Sequence, residues 1–70
     1  MLVYKIDVLQ ELKERGYNTN YLRANKLIGE SSIQKLRSGI GDSDIVGIKT
    51  LNTICELLNM DISEILTYKK

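Results

Sequence analysis

The sequence predicts an all-helical fold, and three observations carry that expectation. Apolar residues recur at intervals of three and four along most of the chain. Five glycines and no proline divide its 70 residues into helix-sized segments. No strand-like alternation survives except at Met1–Ile6, which is too short to decide.

Five helices follow from the spacing. The first covers about residues 5–15, with Val8, Leu9 and Leu12 on its apolar face. Lys13 and Arg15 near its C-terminus suit the helix dipole, and Gly16 is its C-cap. The second runs from about 19 to 25 behind Asn18 as N-cap, turning Tyr21 and Leu22 inward. The third runs from about 30 to 38, with Gly29 in the N-cap place and Gly39 at its end. A polar, mobile loop, Gly39–Gly47, follows, centred on Asp42-Ser43-Asp44. The fourth helix covers about 48–58, placing Leu51, Ile54, Cys55 and Leu58 on one face, and Asn59 is a natural left-handed stop. The fifth covers about 62–67 behind an acidic capping box, Asp61 and Glu64. Tyr68-Lys69-Lys70 reads as a frayed tail. The expected core is Leu9, Leu12, Leu22, Ile28, Ile33, Leu36, Leu51, Ile54, Leu58, Ile62 and Ile65, with Cys55 inside.

A chain of 70 residues has room for one small domain with a modest core. One cysteine cannot form an internal disulfide, and without histidine the ligands of a structural zinc site are missing. The same absence removes nucleophilic catalysis through a Ser/His or Cys/His pair. Gly39-Ile40-Gly41 lacks the further glycines and the lysine of a phosphate loop, so neither an enzyme nor a cofactor is expected. With no signal peptide and no apolar run of membrane-spanning length, the expectation is a soluble, cytoplasmic protein.

Net charge is +1, but it is unevenly spread. Residues 15–37 hold five cations (Arg15, Arg23, Lys26, Lys35, Arg37) against Glu30 alone, whereas residues 39–68 hold Lys49 against five carboxylates. A basic middle suits a polyanion facing one side of the domain; ordinary solvated helix faces would look the same. The third helix is the more informative feature. Its narrow apolar side, Ile33 and Leu36, serves a core, while its other side carries small hydroxyls, an amide and cations that a core does not explain. A helix laid in the major groove of double-stranded DNA explains them.

The segments Ile28-Gly29-Glu30-Ser31-Ser32-Ile33, Ile33-x-x-Leu36-x-x-Gly39 and Thr50–Leu66, together with Leu22, carry a resemblance. The chain resembles the compact helix-turn-helix domain of bacteriophage Cro and repressor proteins, the lambda-repressor-like family, and especially its small stand-alone bacterial and mobile-element members. The likeness extends from about residue 5 to 67. The chain departs from the family pattern at Arg23, where a small residue is common, and at Leu27, where the turn often has glycine. Asn25 is then the residue expected to supply the left-handed conformation. The loop after Gly39 is longer than in close relatives, and acidic where they often carry cations.

The resemblance implies a sequence-specific transcriptional regulator whose third helix reads bases. By the match, Glu30, Ser31, Ser32, Gln34 and Lys35 touch base edges. Lys donates to guanine, Gln pairs with adenine, and Glu accepts from cytosine N4. Glu30 has a second reading as a favourable carboxylate in the first helical turn, and Gln34 and Lys35 as solvated surface. Thr19 and Asn20 would hold phosphate, with Arg37 and Ser38 near the passing backbone. A homodimer on DNA is expected, formed through the fifth helix and the tail at Ile65, Leu66 and Tyr68. The alternative is a protein-interaction module on the same fold, antitoxin-like or regulator-binding, using the Gly39–Gly47 loop for its protein partner.

Overall fold

A computed structural model describes residues 1–70. The order is β1 (Leu2–Tyr4), α1 (Val8–Glu14), α2 (Thr19–Ala24), α3 (Glu30–Leu36), α4 (Ile48–Leu58), α5 (Ile62–Ile65) and β2 (Leu66–Tyr68). The five helices stand where the spacing puts them, but the fold is not purely helical. β1 and β2 pair antiparallel, with Leu2 opposite Tyr68, Val3 opposite Thr67 and Tyr4 opposite Leu66. The expected frayed tail is therefore a strand, and α5 stops after four residues rather than running to 67. The strands are Leu-Val-Tyr and Leu-Thr-Tyr, triplets rich in β-branched and aromatic residues. Such a triplet is stable only when its partner, more than sixty residues away, is beside it. No helix is long and apolar enough to cross a membrane.

Local chemistry explains the helix ends. Asp7 caps α1 by accepting from Gln10 N–H at 3.3 Å, so that helix begins later than its apolar pattern implies. Asn18 caps α2 by accepting from Tyr21 N–H at 2.8 Å. At α5 the Glu64 carboxylate accepts from the Asp61 N–H at 2.8 Å, the expected capping box. Three helices end on a left-handed residue: Gly16 (φ 88°), Lys26 (φ 53°) and Asn59 (φ 53°). In each, the next residue's N–H reaches back to a carbonyl of the helix. Tyr17 reaches Leu12 at 2.9 Å, Leu27 reaches Leu22 at 3.0 Å and Met60 reaches Cys55 at 3.1 Å. In the turn between α2 and α3 the left-handed position is thus Lys26, not Asn25, which has φ −95°.

The core differs from the expected one. Tyr4, Val8, Leu12, Leu22, Ile28, Ile33, Leu36, Val46, Ile54, Leu58 and Ile65 form one buried cluster. Ile62 is 43% exposed, and Leu9, Leu51 and Cys55 are only half-buried against the cluster's edge. Tyr4, Val8 and Val46 take their places. The Tyr4 hydroxyl accepts from the buried Val46 N–H at 3.0 Å. The Tyr4 backbone exchanges two hydrogen bonds with the same loop, donating to Asp42 O at 3.0 Å and accepting from Gly41 N–H at 2.9 Å. The Gly39–Gly47 loop is therefore tied to β1 along its length instead of hanging free. Burial raises the Tyr4 phenol above its ordinary value. The Val46 hydrogen bond opposes that rise, and the Asp44 and Asp42 carboxylates add to it.

Two predictions follow from this packing. Tyr4→Phe leaves the buried Val46 N–H without its partner and lowers stability by about 1–3 kcal/mol at neutral pH. Because the folded state holds the phenolic proton more tightly than the unfolded chain, the wild type keeps its full stability below about pH 10 and loses part of it as pH climbs through the raised native value, where the buried phenol must ionise. Tyr4→Phe has no phenol to ionise there, so the gap between the two narrows in denaturant titrations at the alkaline end. Lys26→Gly relieves a left-handed cost of about 1–2 kcal/mol and gives back about 0.5–1 kcal/mol in chain entropy. A net rise in melting temperature is expected, and a fall would show that the Lys26 side chain contributes something its backbone does not.

Candidate nucleic-acid interface

Two neighbouring surfaces carry the polar residues that the sequence singles out. The first is a polar concavity of about 450 Å³ between α1, the start of α2 and the exit of α3. It gathers Asn18, Thr19, Asn20 and Arg37 with Gln10 and Lys13 of α1; Asp7 is its one carboxylate and Leu9 its one apolar wall. Small-molecule pockets are mostly apolar. This one is lined by amides, a hydroxyl and two cations, which suits an anion that keeps part of its hydration. Neither Lys13 nor Arg37 is paired with a carboxylate. The structure thus brings Thr19, Asn20 and Arg37 together. It adds Lys13, expected only as a partner of the helix dipole, and Gln10, for which the sequence suggested no role. One turn of helix separates residues three apart, and that spacing is the signal that could have found them.

The second surface is the outer side of α3. Ile33 and Leu36 are fully buried, which fixes the helix about its axis. Glu30, Ser31 and Gln34 are consequently exposed, as are Arg37 and Ser38 beyond the last turn. Ser32 is turned away and half-buried, with its hydroxyl 3.5 Å from that of Thr50 at the start of α4. Ser38 makes no side-chain hydrogen bond and lies outside the concavity.

The two charged residues within α3, Glu30 and Lys35, are paired within the chain. Arg23 of α2 grips the Glu30 carboxylate with two donors, Nε to Oε2 and Nη2 to Oε1, the latter at 3.1 Å. Gln34 Nε2 donates to the same Oε1 at 3.1 Å. Arg23's hydrogen bonds first, and then that of Gln34, hold the Glu30 carboxyl below the usual carboxylate range. Its acceptors are thereby committed inside the protein, which leaves little for cytosine N4. Lys35 lies 3.9 Å from Asp44 of the tethered loop, a loose and solvated ion pair. Tyr17 lies at the edge of the core and packs against Tyr21, ring centroids 5.6 Å apart and tilted by 53°, but Tyr21 is 44% exposed rather than turned inward, because Leu22 alone fills the core from α2.

The chain matches no curated protein and no solved structure at a significant level. A family model does match, that of the Cro/C1-type HTH DNA-binding domain, over residues 7–70. This span takes in all five helices, both polar surfaces and β2, and the chain belongs to the Cro/C1-type helix-turn-helix DNA-binding family.

Proposed function

We propose that the protein is a sequence-specific transcriptional regulator that lays α3 in the major groove of double-stranded DNA. The observation that carries this reading is the gathering of Lys13, Thr19, Asn20 and Arg37 in one polar concavity beside the exposed face of α3. Phosphate contacts of this kind set register and orientation, while side chains on an adjacent helix read base edges. In this reading Ser31, Gln34 and Lys35 meet bases, Ser32 braces α3 against α4, and Ser38 lies beside the backbone. α2 and α3, with the left-handed Lys26 between them, form the helix-turn-helix.

The acidic loop sets a condition on Lys35. With Asp44 3.9 Å away, Lys35 must exchange a carboxylate for a phosphate or a guanine on binding. An exposed pair of this type is weak, so the exchange is readily made. It lowers attraction to DNA that offers Lys35 nothing better than Asp44.

Dimerisation on DNA is part of the same proposal, with a revised surface. Ile65 is buried and Leu66 is half-buried, so neither is free as a contact. Met1, Leu2, Ile62 and Tyr68 are exposed instead, grouped around the paired chain ends, and β2 is bonded to β1 on one side only. Two copies meeting there would place two α3 helices on successive half-sites.

Binding to fragments selected from genomic DNA, followed over a range of salt, tests the reading. Lys13→Ala and Arg37→Ala should weaken binding evenly across sequences and each reduce the salt slope by about one. Lys35→Ala should weaken the preferred site by about 1–3 kcal/mol and relax choice at one base pair. Asp44→Asn should tighten binding to unselected DNA by up to about fivefold at low salt. Unaltered binding in all four variants, with the fold intact, would transfer the case to a protein-interaction module on this fold. For the dimer, a footprint spanning two half-sites is expected, shrinking to one half-site with Leu2→Asp and Tyr68→Asp together; protection of a single half-site by the wild type would remove it.

A further inference from the structure

Gln34 is the one amide on the exposed face of α3, and its side chain is tethered at one end. Its Nε2 donates to Glu30 Oε1 at 3.1 Å. A carboxylate only accepts, so the nitrogen end of the amide must face Glu30; turning the amide over would set its oxygen against the carboxylate. Glu30 is itself held by the two-pronged grip of Arg23, which reaches across the turn from α2. A planar guanidinium on a carboxylate fixes direction as well as distance. The three side chains therefore form a chain of restraint that starts in α2 and ends on the amide of Gln34.

We infer that Glu30 and Arg23 are positioning residues for base recognition, and that they hold the Gln34 amide in the orientation that reads adenine. The inference rests on the DNA-binding reading above and deepens it. One Nε2 hydrogen is committed to Glu30, which leaves a second N–H and the carbonyl oxygen of the amide. Together these present one donor and one acceptor. In the major groove, adenine offers the complement, an N7 acceptor beside an N6 donor. Guanine shows two acceptors in the same places and would meet the Gln34 oxygen with its O6. Cytosine and thymine each satisfy only one of the two groups. An untethered glutamine samples several rotamers and both amide orientations, and ordering it on binding costs free energy. The restraint moves that cost into folding. Glu30 thus acts on specificity without touching a base.

The test uses the full chain and a site recovered by genomic selection. Each adenine of that site is replaced in turn by 7-deazaadenine, which lacks the N7 acceptor and keeps the N6 donor. For the wild type, one adenine per half-site should show a loss of about tenfold in affinity. Gln34→Ala should abolish the loss at that position and identify it. Glu30→Ala, an exposed change that circular dichroism should show to be folded, should cut the loss to less than about threefold and broaden base choice there. Glu30→Gln, whose amide donates as well as accepts and offers Arg23 only one oxygen, no longer imposes one orientation on Gln34 and should also leave the loss below about threefold. A purely structural role for Glu30 would instead lower affinity evenly and leave the 7-deazaadenine penalty at full size, which would overturn the proposal. So would the absence of any responsive adenine in a site that the wild type binds selectively. Failure to recover any selectively bound DNA is a different result: it would overturn the DNA-binding reading and this inference with it.

Discussion

The structure turns on the hydroxyl of Tyr4. It lies in a buried position, accepting from the Val46 N–H at 3.0 Å, and closes a path that begins at the chain's first strand and ends at the start of α4. A buried amide with no partner carries a desolvation cost of about 1–3 kcal/mol, a large share of what a domain this small can spare. Once that bond is made, Val46 can enter the core although it belongs to a loop. Gly47 is then placed to begin α4, and Asp42 and Asp44 are drawn along β1. The carboxylates of the loop are accordingly not a loose acidic fringe. They have fixed positions, and one of them stands beside Lys35 at the end of α3. The path of the loop and the charge pattern at the end of α3 thus depend on one tyrosine.

The helices were legible because their causes are local. Asn18, Gly29 and Asp61 act within three residues of the groups they cap, and Gly16 and Asn59 stop helices by their own backbone preference. Where the cause was distant, the sequence did not disclose it. Leu2–Tyr4 and Leu66–Tyr68 are three residues each, below the length at which alternation can be recognised, and their partners come from opposite ends of the chain. Val46 stands among Asp42, Ser43, Asp44 and Gly47, so no periodicity marks it as core. Ile62 and Ile65 both fit a helical face. Only the return of the chain into β2, which shortens α5 to one turn, decides that Ile65 is buried and Ile62 exposed. Lys26 adopts the left-handed conformation against its own preference because Leu27 and Ile28 must both turn inward behind it, Ile28 to full burial.

The candidate interface was legible in kind and not in arrangement. Spacing put Glu30, Ser31, Gln34 and Lys35 near one side of a helix. It could not say that Ser32 would rotate toward Thr50, because that depends on the depth to which Ile33 and Leu36 sink. The ion pair of Arg23 with Glu30 joins residues seven apart across a turn, outside the three- and four-residue rule for a single helix. Arg23 at a position where relatives often keep a small residue looked like a departure. In the structure it holds the Glu30 carboxylate with two donors.

A division of labour emerges from which cations are paired. On α3 and its surroundings, Arg23 and Lys35 each face a carboxylate, whereas Lys13 and Arg37, which border the polar concavity, do not. Unpaired cations contribute counterion release wherever a phosphate passes, and so supply affinity without regard to sequence. Paired cations contribute little at long range and act by fixing geometry or by demanding a competitive partner at contact. With a net charge of only +1, the chain gains little from a general electrostatic field. On the proposed reading, its attraction to DNA comes from a few placed contacts, and its choice among sequences from side chains whose orientation is set in the fold. A small domain that cannot add contacts by size can still add selectivity by restraint, because ordering already completed in the fold is not charged again to binding.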